Sequence, residues 1–490
     1  MNQAKSLDKS EYVLTELRVG IVGFDITPEI HPEYGAWGTT PQMTKVDKPL
    51  LARCIVLDDG VQRIVWFGSD LCGNPVHETD RFRDEVAEAL DMPRQQVIWS
   101  TSQTHSSPTI PGSGMPGGSS ITTRGTYSTE YCDEQFRKFI GSYQEAAREA
   151  IERLQPANVF VGKGHCDSMS YNTRFPMPGG GVKFSRNYAE GLQGGKYFDP
   201  TIGLVRFEDK QGHPLGAIFN FCCHPATMIN DVMVSPDWVG TAREHIEEVI
   251  AGAPAMYVQG FCGDVNCYHI FGTPDQARHS GDKLGKAAAQ AMALSIPARS
   301  LPLCSSWKTI DLACRPMYSR REIQQNIDRR ESFIEGLRHD PEATWFCGVN
   351  YPENFPVEDK IKGVRLQIGY FKEALRLLEA AEPVRTTLQL PIGGIRIGDV
   401  VAAISAGENF TQTGRQLRER SPFVHTLVCG DTNGLFGYIG DDREIERGGY
   451  ETDSFWTIMF VDGFRLPLAK GTVTRILSEF DDIFQELGAA

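Results

Sequence analysis

The sequence predicts an α/β protein, a large mixed-sheet domain with a helical insertion, and three observations carry that prediction. Short apolar runs rich in β-formers alternate with segments of helical period along most of the 490 residues. Hydrophobic residues make up 41% and charged residues 23%, the balance of an ordinary globular domain able to bury a sizeable core. Several apolar runs end directly in histidine, glycine or proline, and the strand ends of open α/β sheets are where sites form.

In chain order, residues 1–17 read as a polar tail and 18–490 as one domain. Residues 18–27 form an opening strand closed by Pro28, and 53–58 with 63–70 a hairpin about Asp58-Asp-Gly60. Helical spacing follows at 77–90 and at 129–154, where Phe136, Phe139, Ile140, Ala147 and Ala150 share a face. The stretch 106–128 between them is a long loop rich in Gly, Ser, Thr and Pro. Further helices read at 237–251 and 275–294. Residues 318–382 suggest two long helices joined by an irregular link, an insertion into the α/β body. Strand character returns at 386–391 and 395–405, and no internal repeat is visible.

A net charge of −14 and a pI near 5.4, with no basic stripe, argue against nucleic-acid and anionic-membrane partners. No stretch reaches the roughly 18 apolar residues of a membrane helix, and residues 1–11 carry no apolar core of a signal peptide. A cytoplasmic protein is the expectation, with a small-molecule substrate and room for a homo-oligomer. The twelve cysteines form no C-x-x-C pair and read as free thiols. Cys262 and Cys267 flank Gly263-Asp-Val-Asn266 in a loop, which leaves a thiol nucleophile as a minority alternative.

Two runs end in the same way. Leu215-Gly-Ala-Ile-Phe-Asn-Phe-Cys-Cys-His224-Pro225 is a strand that proline stops at an imidazole, and Gln96-Val-Ile-Trp-Ser-Thr-Ser-Gln-Thr-His105 leads to Pro108 likewise. A third strand, ending at Ser405, leads through Ala406-Gly407 to Glu408 beside a helix start. Each feature alone also suits a satisfied loop residue or a carboxylate favoured by the helix dipole.

The series Asp25-Ile-Thr-Pro28, Thr104-His-Ser106, Asp199-Pro-Thr, His224-Pro, Gly263-Asp-Val265, Gly407-Glu408 and Tyr438 with Tyr450-Glu451 resembles the neutral/alkaline, non-lysosomal ceramidase family over residues 18–478. The resemblance implies that family's catalytic-domain fold and a zinc amidohydrolase acting on C–N bonds other than peptide bonds. It implies metal ligands at His224, Glu408 and Tyr438, with Tyr450 and Arg174 at the substrate. Two departures stand out. Gln103 occupies the place of the family's first histidine ligand, leaving His105 to serve as ligand or catalytic group. Asn266 occupies the place of the family's serine, so no serine mechanism carries over.

From the residues, one divalent ion, zinc, on His224, Glu408, Tyr438 and His105 would polarise a carbonyl and activate water. Asn266 would stabilise an oxyanion. Gln103, Arg174, Asp264 and Cys262 would contact the substrate. Loop residues Ser113, Ser119, Ser120, Thr122, Thr123, Arg124, Lys183 and Arg186 suggest that this substrate is small, polar and soluble. An ester, a cyclic amide or a sugar-linked bond remains an alternative target, and a non-catalytic binding protein with a degraded site an alternative of another class.

Overall fold

Three sheets carry the fold, and each is wired alike. The computed structural model describes residues 16–30, 43–107, 129–229, 232–298, 302–346, 349–351, 355–458 and 463–488. In the first sheet Arg18–Asp25, Leu51–Asp58 and Arg63–Ser69 run antiparallel in turn; Val97–Thr101 then returns parallel to the last across helix Val76–Ala89. In the second, Asn158–His165, Thr201–Glu208 and Pro214–Phe221 repeat the antiparallel run, and Ala255–Gln259 returns parallel across Trp238–Val249. In the third, Leu303–Ala313, Thr387–Ile397 and Val400–Ser405 do the same, with His425–Cys429 parallel across Thr411–Arg420. A parallel return needs a crossover, and a helix supplies it each time.

Each unit then closes with a longer helix: Thr129–Glu152, Pro274–Ala293 and Thr472–Glu486. Strand side chains alternate between two cores, as the two-residue period requires. Ile55, Leu57, Ile218, Val258, Ala402 and Ile404 point into one core drawn from all three sheets. Their neighbours point outward under the helices: Cys54 and Val56 with Tyr143 and Ala147, Ala217 and Phe219 with Leu284, and Val401 and Ala403 with Ile476 and Phe480. Sheets covered on both faces yield continuous apolar runs. That is why the strands read clearly in sequence while the threefold topology, which repeats no residues, does not.

The expected helices at 77–90, 129–154, 237–251 and 275–294 form within a few residues of those limits. The insertion is two helices, Arg320–Gly336 and Val357–Glu379, placed between the first two strands of the third sheet. They pack Ile323, Ile327, Val364, Ile368 and Phe371 into a core of their own. A Ser319–Glu322 capping box starts the first. The expected strand at 395–405 is a hairpin instead, because Gly398 takes φ +67° and turns the chain so that Ile397 pairs with Val400. The two histidine-bearing strands stop early, at Phe221 and Thr101, so His224 and His105 lie in the loops beyond them. Most of the expected loop at 106–128 and of the N-terminal tail lies outside the described residues.

Candidate active site

The C-terminal ends of the parallel strand pairs of all three units meet, and each unit contributes to one cluster. Gln259, at the end of its strand, joins two of them: its side-chain amide donates to Ser102 O (3.1 Å) and Cys223 O (3.0 Å). The His105 N–H donates to Pro225 O at 3.0 Å, which ties the two histidine loops together directly. The ring centres of His105 and His224 are 5.6 Å apart.

His224 is buried, and its Nδ1 lies 2.9 Å from Val265 O. Facing a carbonyl, Nδ1 acts as the donor, and Nε2 on the other side of the ring lies 3.1 Å from Glu408 Oε2. His105 repeats the arrangement, with Nδ1 2.9 Å from Gln103 O. Burial, and then His224, push its pKa down to about 3, so it is neutral. Backbone carbonyls that fix Nδ1–H and present Nε2 are the usual supports of metal-binding histidines.

Glu408 and Tyr438 stand side by side because Glu408-Asn409 pairs in parallel with Tyr438-Ile439. The chain must pass close behind them. A Cβ on Gly263 would lie 2.2 Å from Glu408 O. Tyr438 lies 6.3 Å from the His224 ring and 5.8 Å from Tyr450, centre to centre. Burial, followed by the charge of Glu408, raises both phenol pKa values, so both hydroxyls keep their protons. Asn266 forms a backbone bridge with His224.

Three expected substrate contacts are otherwise engaged. Arg174 is fully buried: Nε reaches Glu444 (2.6 Å), one Nη reaches Glu451 (2.5 Å), and the other donates to the Glu444 and Gly448 carbonyls. It is a strut between distant segments, correcting its reading as a substrate-binding or catalytic group. Asp264 accepts from the Thr411 N–H and hydroxyl and from the Asn172 amide, and so fixes the helix start after Glu408. Burial lifts its pKa to about 6. The Cys262 thiol donates to Gln103 Oε1 at 3.7 Å. Burial raises the Cys262 pKa well above its ordinary value and pushes Cys267 up to about 12, which favours the protonated thiol at both and speaks against a thiol nucleophile.

Asp431 is the residue that sequence reasoning missed. It follows strand His425–Cys429 and Gly430, a strand–glycine–acid pattern like the one before Glu408. It is 1% exposed, and neither carboxylate oxygen has a hydrogen-bond partner. Burial and then the charge of Glu408 raise its pKa strongly, and Cys72 and Cys262 feel both carboxylates. Its φ of +45° and that of Gln103 (+62°) put two of the site's non-glycine residues in the strained left-handed region.

These donors bear on whether a divalent ion fits. Two ligands of one tetrahedral zinc, each about 2 Å from it, lie about 3.3 Å apart, close to the His224–Glu408 separation. Among the described residues neither Glu408 nor Asp431, both buried, pairs with a lysine or arginine, an arrangement that a bound cation would relieve. Among the described residues, no three His, Cys, Asp or Glu side chains already close on one point. The chemistry fits, with two protein ligands in place and Asp431 beside them.

No family model matches the chain. Neutral ceramidase from Pseudomonas aeruginosa is 24% identical over 266 residues, which are 51% of this chain and 37% of that protein. The crystal structure of that enzyme superposes with a TM-score of 0.65 at 18% identity, covering 96% of this chain and 74% of the other. A structure described as ceramidase complexed with C2 gives 0.66 at 18% identity, with 97% and 75% covered. This chain has the neutral ceramidase fold. The sequence match spans just over a third of the curated relative, and the structural match leaves about a quarter of the ceramidase chain without a counterpart. The mixed-sheet α/β architecture expected from sequence is therefore that of the neutral ceramidase fold. Among the described residues no helix is long and apolar enough to cross a membrane.

Proposed function

We propose that the chain is a hydrolase of a non-peptide C–N bond, cleaving an N-acyl amide of lipid type at the His224–Glu408 cluster. The observation that carries this reading is the 3.1 Å approach of His224 Nε2 to Glu408 Oε2, with the ring held from its other side by Nδ1 on the Val265 carbonyl. The ion that suits these donors is zinc, held by His224 and Glu408 with Tyr438 and Asp431 adjoining. When bound, it supplies Lewis-acid polarisation of the amide carbonyl and acidifies water.

The chain's own groups do the rest. Tyr438 and Tyr450 keep their protons and can donate to an oxygen that gains negative charge. Neutral His105 can accept a proton, and Asn266 offers a carboxamide donor beside His224. The thiols stay protonated and Asn266 is no nucleophile, so water is the attacking group and no acyl-enzyme forms.

The small, polar substrate expected from loop composition gives way to a lipid amide. Both relatives are ceramidases, and two of the polar groups behind that expectation are engaged: Arg174 is locked to Glu444 and Glu451, and Lys183 pairs with Glu190 at 2.5 Å. Residues 113–124 lie outside the described residues. The test is a panel of N-acyl amides of graded chain length, assayed with and without a zinc chelator. Chelator-sensitive release of fatty acid is expected, and turnover confined to short polar amides or to esters would refute the reading.

A further inference from the structure

Arg186 is half-buried, and among the described residues no carboxylate pairs with its guanidinium. It follows the short hairpin of Arg174–Phe175-Pro176 and Val182–Phe184 and precedes helix Tyr188–Gln193. Its Nε and one Nη are enclosed and have no hydrogen-bond partner. The guanidinium carbon lies 4.6 Å from the ring centre of Phe271 and 5.7 Å from that of Phe184. Burial pulls its pKa down to about 10, and the neighbouring groups that oppose this are the tyrosines 450, 171 and 351. The other enclosed guanidinium groups of the region differ: Arg174 holds Glu444 and Glu451, and Arg243 holds both oxygens of Asp70. A desolvated guanidinium with unused donors is costly unless an anion reaches it.

Its location connects it to the cluster. Phe184 packs edge-on against Tyr450 at 5.4 Å, Tyr450 against Tyr438 at 5.8 Å, and Tyr438 lies 6.3 Å from His224. The guanidinium therefore stands at the far end of an aromatic wall that begins at the reacting groups. Lys183, the nearest cation in sequence, is neutralised by Glu190. One positive charge without a second suits a singly charged carboxylate better than a phosphate dianion.

We propose that Arg186 is an anion-binding subsite which selects N-acyl amides carrying a carboxylate away from the scissile bond, as in fatty acyl amino acids. The proposal rests on the reading that substrate enters at the His224–Glu408 cluster. Aromatic rings around the guanidinium exclude water and strengthen its pairing with the carboxylate.

The test is equilibrium binding of N-dodecanoylglycine and of its uncharged analogue, N-dodecanoylglycinamide, to the full chain and to Arg186→Gln and Arg186→Lys. The parent should prefer the acid by about tenfold or more, the scale of a charge-assisted hydrogen bond. Arg186→Gln should lose that preference while binding the glycinamide as the parent does, and Arg186→Lys should keep part of it. Equal affinities for acid and amide in the parent, or an unchanged ratio in Arg186→Gln, would overturn the proposal. Turnover of both compounds is followed separately. Charge preference without hydrolysis would refute the amidase reading and leave the subsite standing, whereas hydrolysis without charge preference would do the reverse.

Discussion

Arg174 and Glu408 are both buried charges placed at the same end of the fold, but their surroundings differ in kind. Arg174 meets Glu444 and Glu451, and Lys196 and Arg447 reach Glu444 from the other side. In that cluster each carboxylate has at least one cation beside it. Around Glu408, among the described residues, a second carboxylate on Asp431 has no hydrogen-bond partner, and the basic group on Glu408 is an imidazole whose other nitrogen faces a carbonyl. A closed cluster of charge holds chain segments together, whereas an open one is built to receive something. Local sequence does not separate the two, because the carboxylates that close around Arg174 come from some 270 residues away.

Four substitutions sharpen the contrast. The largest effect is expected at the open cluster, where Glu408→Gln should lower amide hydrolysis on the order of 10²–10⁴-fold with little change in the denaturation midpoint. Steady-state rates beside a urea titration measure both, and a variant that unfolds instead would place Glu408 among the structural charges.

The closed cluster should respond the opposite way. Arg174→Met leaves Glu451 buried without its ion pair and removes one of the cations on Glu444, which costs about 3–5 kcal/mol of stability. Burial opposes the Glu444 charge, but Arg174 and Lys196 outweigh it and hold the carboxyl at about 2. A carboxyl held below its unfolded value of about 4.3 contributes stability that is present above that pH and lost as pH falls toward 2. Urea midpoints between pH 5 and 2.5 should therefore fall more steeply for the parent than for Arg174→Met; parallel curves would mean that the pair is not formed.

Asp431→Asn removes an unpaired buried charge, so the chelator-treated protein should gain about 1–3 kcal/mol at neutral pH. The sign with pH is the reverse of the Glu444 case. A carboxyl whose folded pKa is raised favours the folded state below its unfolded value of about 3.9, and that advantage fades as pH rises. The gain in Asp431→Asn should thus be larger at pH 8 than at pH 5. The same variant should bind zinc about 10–100-fold more weakly. A variant both less stable and unchanged in zinc affinity would make Asp431 structural.

The smallest effect is expected at Gln103. A carboxamide is a poor zinc ligand, so Gln103→His should tighten zinc binding without altering stability measurably. Unchanged affinity in a competition titration would show that residue 103 does not face the ion.

Strand and helix positions were legible because sheets covered on both faces leave apolar runs and their helices leave a 3.6-residue period. His224 and Glu408 stood out because proline or glycine marks the strand end beside them, but it was the family resemblance, not that spacing, that made them candidate ligands. Asp431 carries the same strand–glycine–acid signal, but its significance lies in missing partners, which only three dimensions reveal. Arg174 was misread because a loop arginine looks the same whether water or Glu444 surrounds it. Arg186 was legible as a cation and not as an enclosed one, for Phe271 and Phe184 are brought to it by the fold.

The central claim is that the open cluster receives a divalent ion, and competition for zinc between the full chain and a chromophoric chelator tests it most directly. The account predicts one equivalent bound per chain, with affinity falling at least tenfold in Glu408→Gln and holding in Arg174→Met. A parent chain that draws no zinc from the chelator, or one that binds it as tightly after Glu408→Gln, would contradict it.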